Sequence, residues 1–431
     1  MDKKNHYHQD MLSVEEARKK ILDNFTRLGV ESTPILKCLD MTLAKDIVSP
    51  INVPPLNNSA MDGYAIISLD TKNKIDTDLL ELEVIGTVAA GEISNKTIKS
   101  GQALRIMTGA PIPAGSDAVV PFENTDEQKR KLRGSSDRKI SIMTKVDSGE
   151  NIRFKGEDIF AGATVLHKNK IIRSADIGVA ASIGLTHLPV VQKPVIAIFS
   201  TGNELVEPGN KLNEGQIYNS NAFTIASMVS SYGGLPKIID TAEDSFQAVS
   251  EALSMAMIDA DMVVTSAGVS KGDYDVVKDV LEKKGEISLW SVRMRPAKPL
   301  AFGVLNSPEG KKIPHLGLPG NPVSAMVAFI QFGRQAIAIM MGRTPLPNPK
   351  VTAILDDSIT NLDGRRVYAR VYVYKSDGGE YRARITGSQS SGVLTSMAVA
   401  NGLGICPEDI DRINTGEKIQ VEMIDWPEEI F

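Results

Sequence analysis

Gly317-Leu-Pro-Gly-Asn-Pro-Val-Ser-Ala-Met-Val-Ala-Phe329 runs from an apolar segment through a tight turn into a helix. Asn321 is a residue type that caps helices, and Pro322 stands where a first helical residue has no amide partner to lose. A helix that starts this way turns free N–H groups and the positive end of its dipole into the turn, where phosphate is attracted. An ordinary capped helix has the same local sequence, so the upstream junctions must decide the reading.

Working back from that turn, residues from Pro194 onward alternate buried strands with amphipathic helices. VIAIFSTG, PKIID and DMVVTSAG read as strands; NSNAFTIASMVSSYGG, SFQAVSEALSMAMID and DYDVVKDVLEKKG read as helices, the first capped by Asn219 or Ser220. EISLWSVRM, LAFGVL and IPHLGLPG are further strands, and the last helix is predicted from Pro322 to about Met341. This order predicts a doubly wound, mostly parallel α/β sheet, which binds ligands beyond the carboxyl ends of its strands. STGNEL, TAED, TSAGVSKGDYD and GLPGNP all fall at such ends, so they are expected to share one rim.

The flanks differ in texture. Ser13 and Glu16 form a capping pattern for a helix over SVEEARKKILDNF. Pro54 and Pro55 make a rigid extended connector. Short strands from about 65 to 150 predict an all-β module, a small barrel or sandwich, with Asp126–Lys139 as a solvated hairpin tip. After the Pro-rich run 343–349 the chain turns to β again. The expected division is 1–53 with 151–190 as a discontinuous N-terminal linker domain, 54–150 as the β-rich insertion, 191–342 as the α/β domain, and 343–431 as a C-terminal β domain, barrel-like.

Composition narrows the function. A chain of 431 residues exceeds one ordinary core. Net charge is −5, from 48 basic and 53 acidic residues, so no global field favours nucleic acid and any anion must be held locally. No apolar run is read as a membrane span or a signal peptide. Cys38 and Cys406 are the two cysteines, which argues against a disulfide framework and for the cytoplasm. His6 and His8 read as solvated tail residues.

The rim carries the acids Glu204, Asp244, Asp273 and Asp275 and the cations Arg293, Arg295 and Lys298. Carboxylates beside helix starts and cations suit a Mg²⁺-dependent reaction on a phosphate ester. Neither a P-loop nor a GxGxxG fingerprint occurs, which weighs against a Walker ATPase or a dinucleotide enzyme. Helix capping by Asp273 or Asp275, and simple solvation of the cations, are the plain alternatives.

NSAMDGYA, RIMTGAPIPAGSDAVVP, STGNEL, GVSKGDYD, RPAKP, GLPGNPVSA and GSQSSGVLTSMAVANGL occur in the order found in MoeA-type molybdopterin molybdenumtransferases, which the chain resembles over essentially its whole length. The resemblance implies insertion of molybdate into adenylylated molybdopterin, with Mg²⁺-dependent release of AMP. It implies that Asp62 and Thr108 act from the other subunit of a homodimer, with the active site at the interface. Glu204, Asp244 and Asp275 would be the acidic, metal-binding positions, and Arg295 and Lys298 the cationic pair. Ser200, Thr201, Gly202, Ser266, Gly268, Ser270, Pro319, Gly320, Asn321, Pro322 and Ser324 would contact the pterin substrate, with Arg366, Arg370, Ser388 and Ser391 from the C-terminal domain. A molybdopterin adenylyltransferase is an implied partner. Adenylyl transfer and a gephyrin-like scaffold are the alternatives. Ala267 and Ala297 stand where glycine is expected, and alanine is strained there if the backbone needs φ > 0; Lys271 adds an unexpected cation.

Overall fold

The computed structural model describes residues 11–72, 79–133, 138–267, 279–280, 283 and 285–426. They sort into two units, one of Met1–Glu31, Asp40–Thr42 and Val190–Phe431, the other of Ser32–Leu39 and Leu43–Pro189.

In the second unit, strands β1 (Gly63–Ile66), β2 (Leu80–Val88), β3 (Gln102–Ile106), β4 (Ala118–Pro121) and β5 (Lys139–Ile142) form one sheet in the order β4-β1-β3-β2-β5. It curls until Ile142 bridges Thr125, just beyond β4, which makes it a small barrel, one of the two forms the sequence leaves open. Alternation divides the side chains: Tyr64, Ile66, Val120 and Ile140 join one core, and Ala65, Leu104, Ile106 and Val119 another. Below the barrel, residues 47–59 run antiparallel to 152–166 through the pairs Val48–Thr164, Val53–Ile159 and Asn58–Arg153. The predicted hairpin tip is corrected. Glu127–Leu132 is helical, Glu127 is buried, and Arg130 binds Asp126 and Glu81, because helical spacing turns Asp126, Glu127 and Arg130 inward and leaves Gln128, Lys129 and Lys131 in solvent.

The first unit begins with helix α1 (Val14–Leu22), where Ser13 and Glu16 complete the predicted capping box. Its central sheet comprises β6 (Val195–Ser200), β7 (Leu235–Ile238), β8 (Met262–Ser266), β9 (Gly285–Ser291), β10 (Pro299–Asn306) and β11 (Lys312–Leu318), in the order β7-β6-β8-β11-β10-β9. The pairs among β7, β6, β8 and β11 are parallel, and β10 is antiparallel to both neighbours, so the sheet is mostly parallel as the alternation predicts. Ile196 and Ile198 face α2 (Ser220–Ser231) and the last helix; Ala197 and Phe199 face α3 (Phe246–Met257). Helices on both faces account for strands that are apolar throughout.

The last helix, α4 (Pro322–Met340), is long and apolar enough to cross a membrane, contrary to the sequence reading, but 78% of its apolar window is buried inside the protein. It is a core helix. Beyond it, β12 (Lys350–Leu355), β13 (Arg366–Lys375), β14 (Tyr381–Ile385), β15 (Gly402–Cys406) and β16 (Lys418–Met423) close into a ring, because β13 pairs with both β14 and β15. Ala353, Val371, Val373, Ala383 and Val421 fill its interior.

Candidate functional site at the strand ends

Strands β6, β8 and β11 end level: Ser200 lies opposite Ser266, and Ser266 opposite Leu318. The loops that follow therefore leave the sheet along one rim. Thr201, Glu204, Ser266, Ala267, Gly320 and Asn321 line a cleft there of about 530 Å³, with the start of α2 and Gly392 completing it.

Asparagines hold the rim together. Asn219 caps α2, its Oδ1 accepting from the Ala222 amide at 3.2 Å and from the Ser200 hydroxyl at 3.1 Å. Its Nδ2 donates to Thr241 and Glu207 at 2.9 and 3.2 Å, and Thr241 also donates to Glu207. Asn221 Nδ2 donates to Ser266 Oγ at 2.6 Å and to the Gly320 carbonyl at 2.8 Å, tying two strand ends to one helix. Asn219 was legible only as a capping candidate and Asn221 not at all; their cross-links need the strands they reach.

Two carboxylates meet beside this cleft. Burial first, then the neighbouring negative charge of Glu204, raises the Asp244 carboxyl above its ordinary range, and bonds from the Asn203 amide region and Thr201 only partly offset this. Gly202 makes the arrangement sterically possible: at φ +150° it carries no Cβ, and one placed there would lie 2.5 Å from Glu204 Oε2. Among the described residues lining the cleft, Glu204 is the only charged one. From these described residues an anion meets amides and helix dipoles. The oxygen donors of Glu204 and Asp244 suit a hard divalent cation, which would relieve their mutual repulsion. Among the described residues they are not joined by a third acidic, His or Cys ligand.

Two helix starts face the same space. Asn321 has the extended backbone of an N-cap but makes no side-chain cap bond, and Pro322 occupies the first turn. The α2 start at Ser220 lines the cleft beside it. Both departures noted in the sequence are strained: Ala267 has φ +87° and Ala297 φ +73°. Among the described residues, the other positive-φ residues that are not glycine are Asp40, Asn151, Asn169 and Asp259, types that tolerate this region. Each alanine carries about 1–2 kcal/mol that glycine or asparagine would avoid.

Not every expected residue arrives at the cleft. Ser200 is buried behind Asn219, Ser324 is buried one turn into α4, and Pro319 is buried at the end of β11. Arg295 points to the Thr360 carbonyl at 2.8 Å and to Asp363 at 3.8 Å; Lys298 is exposed. Neither is among the lining residues. Arg366 is paired with Glu15 and Glu408. Arg370 is the clearest departure from expectation. It is 1% exposed and donates to the Ser388 and Ser390 carbonyls and to Ser396, so it shapes the 388–391 loop from inside. That loop reaches α4 through the Ser391 carbonyl, which accepts from the Val323 amide at 3.1 Å. In the other unit, Asp62 Oδ1 accepts from the Thr108 amide at 2.7 Å and hydroxyl at 2.8 Å. These bonds hold its carboxyl below the usual range. Gly268, Ser270, Lys271, Asp273 and Asp275 lie outside the described residues.

Three family models match in succession: the MoeA N-terminal region (domain I and II) over 12–184, a probable molybdopterin binding domain over 197–338, and the MoeA C-terminal region (domain IV) over 352–424. A molybdopterin molybdenumtransferase 2 of Mycobacterium tuberculosis is 35% identical over 95% of this chain and 99% of its own length. The chain belongs to the MoeA family. A molybdopterin molybdenumtransferase of Haemophilus influenzae is 32% identical over 96% of this chain and 98% of its own. A solved MoeA structure from Pyrococcus horikoshii superposes with a TM-score of 0.80 at 30% identity, covering 97% of this chain and 100% of the other. The MoeA fold thus includes the central sheet whose rim forms the cleft, and the molybdopterin binding model spans Thr201, Glu204, Asp244, Ser266 and Asn321.

Proposed function

We propose that this protein is a molybdopterin molybdenumtransferase that inserts molybdate into adenylylated molybdopterin and releases AMP. The observation that carries the reading is one cleft in which a crowded carboxylate pair adjoins two helix N-termini. Molybdopterin and molybdate are the substrates. Both are anionic, and the helix starts at Ser220 and Asn321 supply amide donors and positive dipole ends, with no lysine or arginine among the described lining residues. Thr201 and Ser266 add hydroxyl groups at the floor, and the Asn321 side chain, which makes no cap bond, is available to orient the substrate.

Glu204 and Asp244, with Asp275 as the third acid, would hold Mg²⁺. When bound, the ion supplies charge neutralisation and polarises a phosphoryl oxygen, easing cleavage of the bond to AMP. Arg295 and Lys298 serve the anionic substrates as they enter, and Gly268 and Ser270 extend the pterin-binding rim. Arg370 orders the Ser388–Ser391 loop against α4, while Arg366 secures the C-terminal barrel through Glu15.

The working form is a homodimer in which Asp62 and Thr108 of the partner subunit complete the active site. The exposure of Val48, Ile51, Leu56, Phe154 and Phe160 along the paired segments 47–59 and 152–166, and of Met61 just beyond them, supports an association surface on the barrel-bearing unit. The chain divides into the four domains expected from its sequence, works in the cytoplasm, and takes its substrate from a molybdopterin adenylyltransferase.

The test is AMP release from adenylylated molybdopterin by the purified protein, with and without Mg²⁺, molybdate and tungstate. Release that needs Mg²⁺ and molybdate supports the reading. Release with tungstate in preference keeps the mechanism and changes the metal. A folded protein that releases AMP with neither oxyanion overturns it.

A further inference from the structure

The cleft has two walls whose separation is set by residues with no role assigned so far. One wall is the end of β8, Ser266 and Ala267; the other is the turn through Gly320 and Asn321. Asn221 bridges them, donating to Ser266 Oγ at 2.6 Å and to the Gly320 carbonyl at 2.8 Å. Against Gly320 stands a methyl group. The Ala267 side chain faces Gly320 so directly that a Cβ on Gly320 would lie 3.6 Å from the Ala267 Cβ. To present that methyl, Ala267 adopts φ +87°, a conformation in which glycine would be unstrained.

A strained, non-glycine residue at a pocket wall persists when the surroundings over-determine it. Here the surroundings are β8, which ends at Ser266, and the amide of Ala267 itself, bonded to the Leu318 carbonyl at 3.1 Å. We propose that Asn221 and Ala267 act as tie and spacer, fixing the width of the slot that grips the phosphate end of the pterin substrate. Ala267 is then a specificity-determining residue, and Asn221 a positioning residue that acts through Ser266 and Gly320. This inference rests on the molybdopterin reading of the cleft.

The geometry allows a methyl to be moved across the slot. Gly320 does not have the left-handed backbone, and its added Cβ would make an ordinary contact, so Gly320→Ala folds. Ala267→Gly removes strain and also folds. Equilibrium binding of molybdopterin to the full-length protein and thermal unfolding are measured for Ala267→Gly, Gly320→Ala, the double variant and Asn221→Ala. Ala267→Gly is expected to raise Kd about 10-fold while raising the thermal midpoint, since one methyl against a pocket is worth roughly that factor. Gly320→Ala raises Kd by narrowing the slot, and the double variant, with the methyl on the opposite wall, recovers to within about threefold of the parent. Asn221→Ala raises Kd as well, and Asn221→Gln does not restore it, because its longer arm cannot hold the same separation.

A purely structural role for Ala267 predicts a higher midpoint with unchanged Kd, and that result overturns the proposal. So does a double variant no better than the weaker single variant. If the parent itself binds no molybdopterin, the functional reading fails first, which separates the two failures.

Discussion

Asp62 and Asp244 are both aspartates at loop positions, and the fold treats them in opposite ways. Asp62 receives two bonds from Thr108 to a single oxygen and stays ionised below the usual aspartate range. Asp244 is partly desolvated beside Glu204 and is pushed upward. The first carboxylate is satisfied by its own protein; the second is left in need of a positive charge. A satisfied acid can orient or accept a proton without help, whereas a crowded acidic pair is what a divalent cation binds.

The sharpest way to break this contrast is to neutralise each acid. Glu204→Gln or Asp244→Asn should lower Mg²⁺-dependent AMP release roughly 10²-fold or more, an effect of the size seen when one charge-stabilising group is lost. Stability should move the other way for Asp244. Its carboxyl is raised in the fold, so the folded state is penalised once pH rises through the unfolded value toward the folded one, and the penalty persists at neutral pH. Asp244→Asn removes it, and calorimetry should show a midpoint no lower than the parent's. A drop of several degrees would mean the pair is not repulsive.

The second largest effect belongs to another polar group under pressure in the same sheet. His315 is fully buried, bonded through Nε2 to Thr265 at 3.0 Å, with Nδ1 unpartnered, and burial pushes its pKa down to about 3. The stability of its neutral form is complete above the unfolded value near 6.5 and is lost as pH falls toward the folded one. Denaturant titrations should find about 2 kcal/mol lost between pH 7 and pH 5 from this group, and a shallower loss in His315→Gln. Equal slopes would show the histidine is not buried in solution.

Smaller effects test the Asp62 side. Thr108→Val keeps the amide bond and removes the hydroxyl bond, so activity should fall about threefold to tenfold with an unchanged Mg²⁺ requirement. A shifted Mg²⁺ requirement would place Asp62 with the cation site instead. The smallest effect is the order of titration. Carboxyl-carbon NMR should find Asp62 protonating below the ordinary value of 3.8 and Asp244 above it, so Mg²⁺ affinity declines on acidification while Asp62 is still ionised. The reverse order would remove the comparison altogether.

Much of this was legible in the chain. Alternation of buried strands and amphipathic helices after Pro194 is a periodic signal, and it located β6, β7, β8, β11 and the start of α4. Ser13 and Glu16 are close in sequence, so their capping box is local chemistry and was readable. The charge run after Asp126 misled because single-sequence reading cannot see that Glu127 turns into a barrel. Arg370 misled similarly: an arginine in a strand looks available until the 388–391 loop folds over it.

By itself, then, the sequence determined the element types and the polar strand-end junctions, and it nominated residues whose chemistry suits phosphate or a cation. Those properties follow from side-chain periodicity and local turn chemistry. The tertiary structure alone decided that Ser200, Ser266 and Leu318 end level, that Asn221 spans from Ser266 to Gly320, and that Glu204 presses on Asp244. It also decided that Ala267 and Ala297 take left-handed backbone. Each of these depends on strand register and on residues tens of positions apart, and distances of that kind are fixed only when the sheet closes against its helices.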